Sequence, residues 1–322
     1  MPLRPAQNPP APPGVPSARV GRPRRRAALV VVVAGVMALA LAQPATAGPA
    51  AGHRAQAADG IHDHARSAPV GHYAALGDSY SSGLGIPAET NVNCGRSDHN
   101  YPTMVAAAVR ASQVTDVTCA GADTTHMTGR QDSAPPQLDA LRADTALVTL
   151  GIGGNDLDLP GVITRCVLLG YVNSQGAPCK SSYTLLGTDE IRSRINATAP
   201  KIAAVLQEIR ARSPQAKVLL VGYPVIFPDD GSACRETIPL AVGDFAWLRD
   251  KTRQFNAMLA QQAAVHGATY IDTYGPSVGH DACKPAGVRW IEPEDTASAA
   301  GFHPNEAGHR GTADAVLAAV NR

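Results

Sequence analysis

Tyr73-Ala74-Ala75-Leu76-Gly77-Asp78-Ser79-Tyr80-Ser81-Ser82-Gly83 is the stretch whose reading decides the fold. Residues 73–76 are a short apolar run that stops at a glycine, which predicts a strand ending in a sharp turn. Downstream, strand and helix patterns alternate. Residues 101–111, rich in Ala and Val, predict a helix, and 116–119 a short strand leading into Ala120-Gly121-Ala122. Residues 136–142 read as one or two helical turns. Residues 145–150 read as a strong strand running into Gly151-Ile152-Gly153-Gly154-Asn155-Asp156. Residues 198–213 predict a helix with Ile202, Val205, Leu206 and Ile209 on one side. A strand over 217–222, a long helix over 244–266, a strand over 268–272 and a closing helix over 305–320 complete the series. This alternation predicts an α/β chain with a mostly parallel sheet covered on both faces. Such sheets gather ligand-binding groups at the carboxyl ends of their strands. Ser79, Gly121 and Asn155, each just past an expected strand, therefore converge by topology alone.

The folded part does not begin at the first residue. Arg22, Arg24, Arg25 and Arg26 precede an apolar run over 27–41, and Ala45-Thr46-Ala47 supplies the small residues of an export cleavage site. The run is shorter than the ~20 residues that cross a bilayer. Residues 1–47 therefore read as a signal peptide and 48–70 as a flexible lead-in without apolar periodicity. Residues 71–322 suffice for one sizeable core. The first 47 residues hold six Arg and no acid, so removing them turns a formal charge of +1 into 22 basic against 27 acidic residues, or −5. That balance argues against nucleic acid and against an anionic membrane as partners. It leaves a secreted chain, expected to be monomeric and without stable membrane insertion.

All six cysteines lie beyond residue 47, and an even count in an exported chain reads as three disulfides. Fifteen pairings are open; the sequential one closes loops of modest length. No Cys-x-x-Cys pair and no zinc-like Cys/His spacing occurs, so neither a metal nor an organic cofactor is implied.

A serine just past a strand can stand exposed at the sheet edge with free backbone N–H groups beside it; it can equally cap a helix. A nucleophilic serine needs a base, and His303 in Gly301-Phe302-His303-Pro304-Asn305 lies just before the last helix. His309, inside that helix, reads as structural. Acyl transfer also needs donors aimed at an oxyanion; Gly121 offers an unobstructed N–H and Asn155 a side-chain amide. Asp156 reads as a turn anchor. The G-x-G-G string is not a dinucleotide loop, and no G-x-S-x-G elbow is present.

Together these blocks resemble the SGNH, or GDSL, hydrolases, closest to the secreted esterases and lipases of actinobacteria. The resemblance covers about residues 72–321. It implies a three-layer α/β/α sandwich, with Ser79 as nucleophile and His303 as general base. It also implies an oxyanion hole from Ser79, Gly121 and Asn155. The cysteine pattern is similar too, and implies the pairs Cys94–Cys119, Cys166–Cys179 and Cys234–Cys283. One position departs: where the family commonly has Asp three residues before the His, this chain has Ala300. The expectation is a dyad, with the carbonyl of Ala300 or a neighbour accepting from His303 Nδ1. Glu292, Glu294 and Asp295 are alternative partners.

The resemblance implies a carboxylic ester hydrolase working through an acyl-enzyme. Leu84 and Ile86 in loop 83–87, and Leu157, Leu159, Val162, Ile163, Val167, Leu168 and Leu169 in loop 157–171, are candidate acyl-groove residues. They favour acyl lipids or medium- and long-chain esters. Short-chain or carbohydrate acetylesterase, phospholipase and acyltransferase activities are alternatives, and a secreted binding module is the non-enzymatic one.

Overall fold

The computed structural model describes residues 69–321. The expected signal segment and most of the lead-in lie outside them. Seven strands are formed: β1 (His72–Gly77), β2 (Glu89–Asn91), β3 (Arg96–Ser97), β4 (Gln113–Asp116), β5 (Thr145–Gly151), β6 (Lys217–Val221) and β7 (Thr269–Ile271). The α-helices are α1 (Ser79–Ser82), α2 (Tyr101–Ala108), α3 (Leu159–Val172), α4 (Pro178–Tyr183), α5 (Glu190–Arg212), α6 (Val242–Val265) and α7 (Glu306–Val320).

Five strands make a parallel sheet in the order β4-β1-β5-β6-β7, and β2 pairs with β3 as a small antiparallel ribbon. The chain steps from β1 outward to β4, then crosses to the other side of β1 for β5 and continues outward. The direction therefore reverses between β1 and β5. That switch point opens a crevice at the carboxyl ends of the two strands, the place where such sheets bind ligands.

Strand alternation sorts the core into two faces. Ala74 and Leu76 of β1, with Val148, Leu150, Val218 and Leu220, point to one side and pack among buried residues of α3, α5 and α6. Tyr73 and Ala75, with Leu147, Leu219, Val221 and Ile271, point to the other, against α2 and α7. Helices on both faces of the sheet give the three-layer α/β/α arrangement. His309 is buried on the second face, where its Nδ1 accepts the Tyr101 N–H at 3.0 Å and ties α7 to the start of α2.

Three elements differ from the sequence expectation. The strand placed at 116–119 is β4, three residues earlier; the chain still bonds to β1 through Val117 N–H to Ala75 O and Cys119 N–H to Gly77 O. The helix placed at 198–213 begins instead at Glu190, where Asp189 accepts the Arg192 N–H and caps it. Segment 157–171 is not a loop but mostly helix α3. Its Pro160 occupies the first turn, where no backbone donor is lost, and the Asp158 carboxylate accepts from Gly161.

Candidate active site

β1 ends at Gly77, whose φ of +153° suits glycine; a Cβ there would lie 2.6 Å from the Gly151 carbonyl. Gln137 fastens this residue from both sides, accepting the Gly77 N–H at 2.7 Å and donating to its carbonyl at 2.9 Å. Asp78 then caps the first helical turn through Tyr80 N–H. Ser79 is thereby lifted to the sheet edge as the first residue of α1. Among the described residues its N–H takes no acceptor, as expected of an N-terminal helical donor.

His303 meets Ser79 from the loop before α7, with Nε2 2.8 Å from the serine Oγ. Its Nδ1 lies 2.7 Å from the Gly301 carbonyl. A carbonyl only accepts, so Nδ1 carries the proton and Nε2 is left to accept the Ser79 hydroxyl. This corrects the expectation for Ala300: its carbonyl accepts the His303 backbone N–H, and Gly301, one residue on, holds the ring. Phe302, at a φ of +57°, turns the peptide carrying the Gly301 carbonyl, and its N–H is held by Glu292 O. None of the three acids takes the family aspartate's place. Glu292 is engaged by Arg289 and Asn305, Asp295 accepts the Gly301 N–H, and Glu294 offers no contact to the imidazole among the described residues. Tyr80 supports the ring instead, 5.1 Å away between centroids, and donates its hydroxyl to Phe302 O.

The two remaining segments are tied to Ser79 and to each other. The Cys119 N–H bonds the Gly77 carbonyl, and the Cys94–Cys119 disulfide fixes the turn that carries Gly121. Gly121 takes a left-handed φ of +78°, and its N–H has no protein acceptor among the described residues. Asn155 follows β5 and lines the cleft with Ser79 and His303; its Nδ2 donates one bond, to Ala122 O at 2.7 Å. The second amide hydrogen is left for another acceptor. The buried Asp156 carboxylate accepts Thr124 N–H at 2.9 Å and Thr124 Oγ1 at 2.6 Å, and pairs with Lys201 at 3.0 Å. It joins the turn after Gly121 to the turn carrying Asn155.

Tyr223 belongs to the site although no sequence motif contains it. Its hydroxyl donates to the Asp78 carboxylate and accepts the Gly154 N–H at 3.0 Å, bridging the serine turn to the asparagine turn. Burial pushes the Asp78 carboxyl up to about 7. A polar Tyr just past β6, at the same sheet edge, was the available signal. Tyr223→Phe keeps the ring contacts with Tyr80 and Phe255 but orphans a buried N–H and strips the carboxyl of a donor. It is expected to lower unfolding free energy by about 2–3 kcal/mol, measured as a shift of the urea midpoint.

From Ser79 a cleft of about 320 Å³ runs outward, lined by Leu159, Pro160, Ile163, Thr164, Val167 and Leu168 of α3 and by Phe302. Of the remaining groove candidates, Leu157, Val162 and Ile86 are buried in the core, and Leu169 packs against it. Leu84 faces Gly95, and its carbonyl accepts the Ala300 N–H, so segment 83–87 supports the His303 loop rather than a groove. The cysteines pair as Cys94–Cys119, Cys166–Cys179 and Cys234–Cys283.

Residues 75–310 match the model of the GDSL-like lipase/acylhydrolase family. The chain is 42% identical over 257 residues to Lipase 2 of Streptomyces coelicolor, covering 78% of this chain and 86% of that protein. Among solved structures it is similar to an extracellular lipase from Streptomyces rimosus, with TM-score 0.66 and 28% identity, covering 78% of this chain and all of that one. It is also similar to a phospholipase A1 from Streptomyces albidoflavus, with TM-score 0.64 and 29% identity, covering 77% and 99%. The chain belongs to the GDSL-like lipase/acylhydrolase family: it is a serine hydrolase of ester substrates. Its three disulfides and its kinship with Streptomyces lipases, one of them extracellular, make it a secreted protein. No helix among the described residues is long and apolar enough to cross a membrane.

Proposed function

We propose that the enzyme hydrolyses carboxylic esters of medium- and long-chain acyl groups, acting as a monomer after removal of residues 1–47, with Ser79 and His303 as a catalytic dyad. The observation that carries this reading is a serine–imidazole contact of 2.8 Å at the head of an apolar cleft. The names of the relatives, two lipases and a phospholipase A1, support an acyl-lipid substrate.

In the mechanism, His303 Nε2 takes the hydroxyl proton as Ser79 Oγ bonds to the ester carbonyl carbon. The N–H groups of Ser79 and Gly121 and the Asn155 amide receive the oxyanion. The imidazolium then returns its proton to the departing alcohol, leaving an acyl-serine. Water, deprotonated by the same nitrogen, releases the acid. The Gly301 carbonyl holds the ring's tautomer throughout but adds no full negative charge to the imidazolium.

The test is initial rates on p-nitrophenyl esters from acetate to palmitate, with Ser79→Ala as blank. Rates are expected to peak at medium or long chains. A sharp preference for acetate would overturn the acyl assignment of the cleft.

Burial holds His303 below its ordinary value of 6.5, the Gly301 carbonyl and Asp295 only partly offsetting it. The base must be neutral, so activity rises with pH through the folded-state value and is flat above it. The acid limb of kcat/KM is therefore expected below pH 6.5. A pH-stat profile checks this, and an inflection above that value would contradict it.

A further inference from the structure

Ten large apolar side chains stand exposed among the described residues, and five of them fall between residues 159 and 188. They are Leu168 at 60%, Tyr171 at 71%, Val172 at 86%, Leu185 at 64% and the fully exposed Leu186. Leu168, Tyr171 and Val172 are three and four residues apart on α3, so they share one face, and Thr164 precedes them by a turn. Thr164 and Leu168 also line the cleft. The face therefore begins inside the substrate cleft and continues outward onto the surface.

The same segment contains no Asp or Glu, and its two charges, Arg165 and Lys180, are both positive. It is also firmly held. The Cys166–Cys179 disulfide joins α3 to α4, and the Asp244 carboxylate accepts both Cys179 N–H and Lys180 N–H. The Arg165 guanidinium lies 4.7 Å over the Tyr183 ring, which stacks in turn on Trp247. That contact brings the start of the Leu185-Leu186 loop beside α3.

We propose that the outer face of α3, with the adjoining Leu185-Leu186 loop, docks on the surface of an acyl-lipid aggregate whose molecules enter the cleft. This rests on the reading of the cleft as an acyl-ester site. Clustered exposed apolar groups mark an interaction surface, whereas scattered ones do not. The face runs into the cleft mouth, so a protein seated on it would block substrate entry, while a lipid layer would supply substrate. The segment's own charges, Arg165 and Lys180, have the sign that phosphate-bearing headgroups attract. Tyr171 suits the boundary between headgroup and acyl chain, with an apolar ring and a polar tip.

The test uses two variants, Tyr171→Ser/Val172→Ser and Leu185→Ser/Leu186→Ser; none of these four residues lines the cleft. Binding is measured by co-sedimentation with phosphatidylcholine vesicles in the Ser79→Ala background, and turnover in the active enzyme. Each pair is expected to lower vesicle partition about ten-fold and to slow hydrolysis of vesicle lipid by a similar factor. Turnover of dissolved p-nitrophenyl butyrate should stay within about two-fold. Unchanged partition in both pairs overturns the proposal. So does a fall from dimer to monomer mass in light scattering with vesicle binding intact, which would assign the face to a second copy. Failure of the acyl-ester reading is seen separately, as absent turnover of dissolved medium-chain esters by the unsubstituted enzyme.

Discussion

Ser79→Ala and His303→Ala are each expected to lower kcat by about five to six orders of magnitude, and the double variant is expected to fall no further. The reason lies in how little either residue can do alone. A serine hydroxyl is a weak nucleophile until its proton has somewhere to go. Here the acceptor is the Nε2 lone pair 2.8 Å away, exposed because Nδ1 is committed to Gly301. With the imidazole gone, the hydroxyl stays protonated; with the hydroxyl gone, the imidazole has no attacking oxygen to activate. A residual rate should survive in all three variants, because the proposed oxyanion donors, the Ser79 and Gly121 N–H groups and the Asn155 amide, are left in place. The measurement is kcat on p-nitrophenyl butyrate with circular dichroism as a folding control. Losses that add in the double variant would mean that the two side chains act in separate steps, and would break the dyad.

That geometry was partly legible in the sequence, for a reason particular to this fold. Ser79, Gly121 and Asn155 each come two to five residues after a strand, and parallel strands deliver such residues to one edge whatever fills the core. His303 follows no strand; it was legible through its motif. The groups that position them were less legible. Gln137 meets Gly77 only because the segment after Pro136 returns to β1, a tertiary fact without a local pattern. Tyr223 depends on Asp78, 145 residues away. The choice between the Ala300 and Gly301 carbonyls turns on the left-handed φ of Phe302, a conformation its residue type does not announce. Helix α3 was missed because Leu159-Pro160-Gly161 carries two loop-forming residues, though Pro is well tolerated in a first helical turn. What the sequence lost there was geometric: a loop with apolar residues predicts a groove, whereas a helix also divides them into a cleft side, a core side and an outer face.

Asn155→Ala is expected to lower kcat about 10²–10³-fold while leaving KM for the same ester within a few-fold. The Asn155 side chain stands in the cleft, with one amide hydrogen spent on Ala122 O. That bond fixes the amide plane before substrate arrives, so in the proposed mechanism the second hydrogen meets the oxyanion without reorganisation. The ground-state carbonyl has little charge to offer it, which is why the loss should fall on kcat. Asn155→Ala also leaves Ala122 O without its donor, so some loss could come from a displaced Gly121 turn. Asn155→Asp removes both donations at once. It matches the amide in shape but brings a carboxylate to both places, so it should be no more active than the alanine variant. Thr124, held by Asp156 in either variant, keeps the turn anchored. If Asn155→Ala left kcat within a few-fold of the parent, the backbone N–H groups of Ser79 and Gly121 would be carrying the oxyanion alone, and Asn155 would be a turn-fixing residue that touches Ala122 and nothing else.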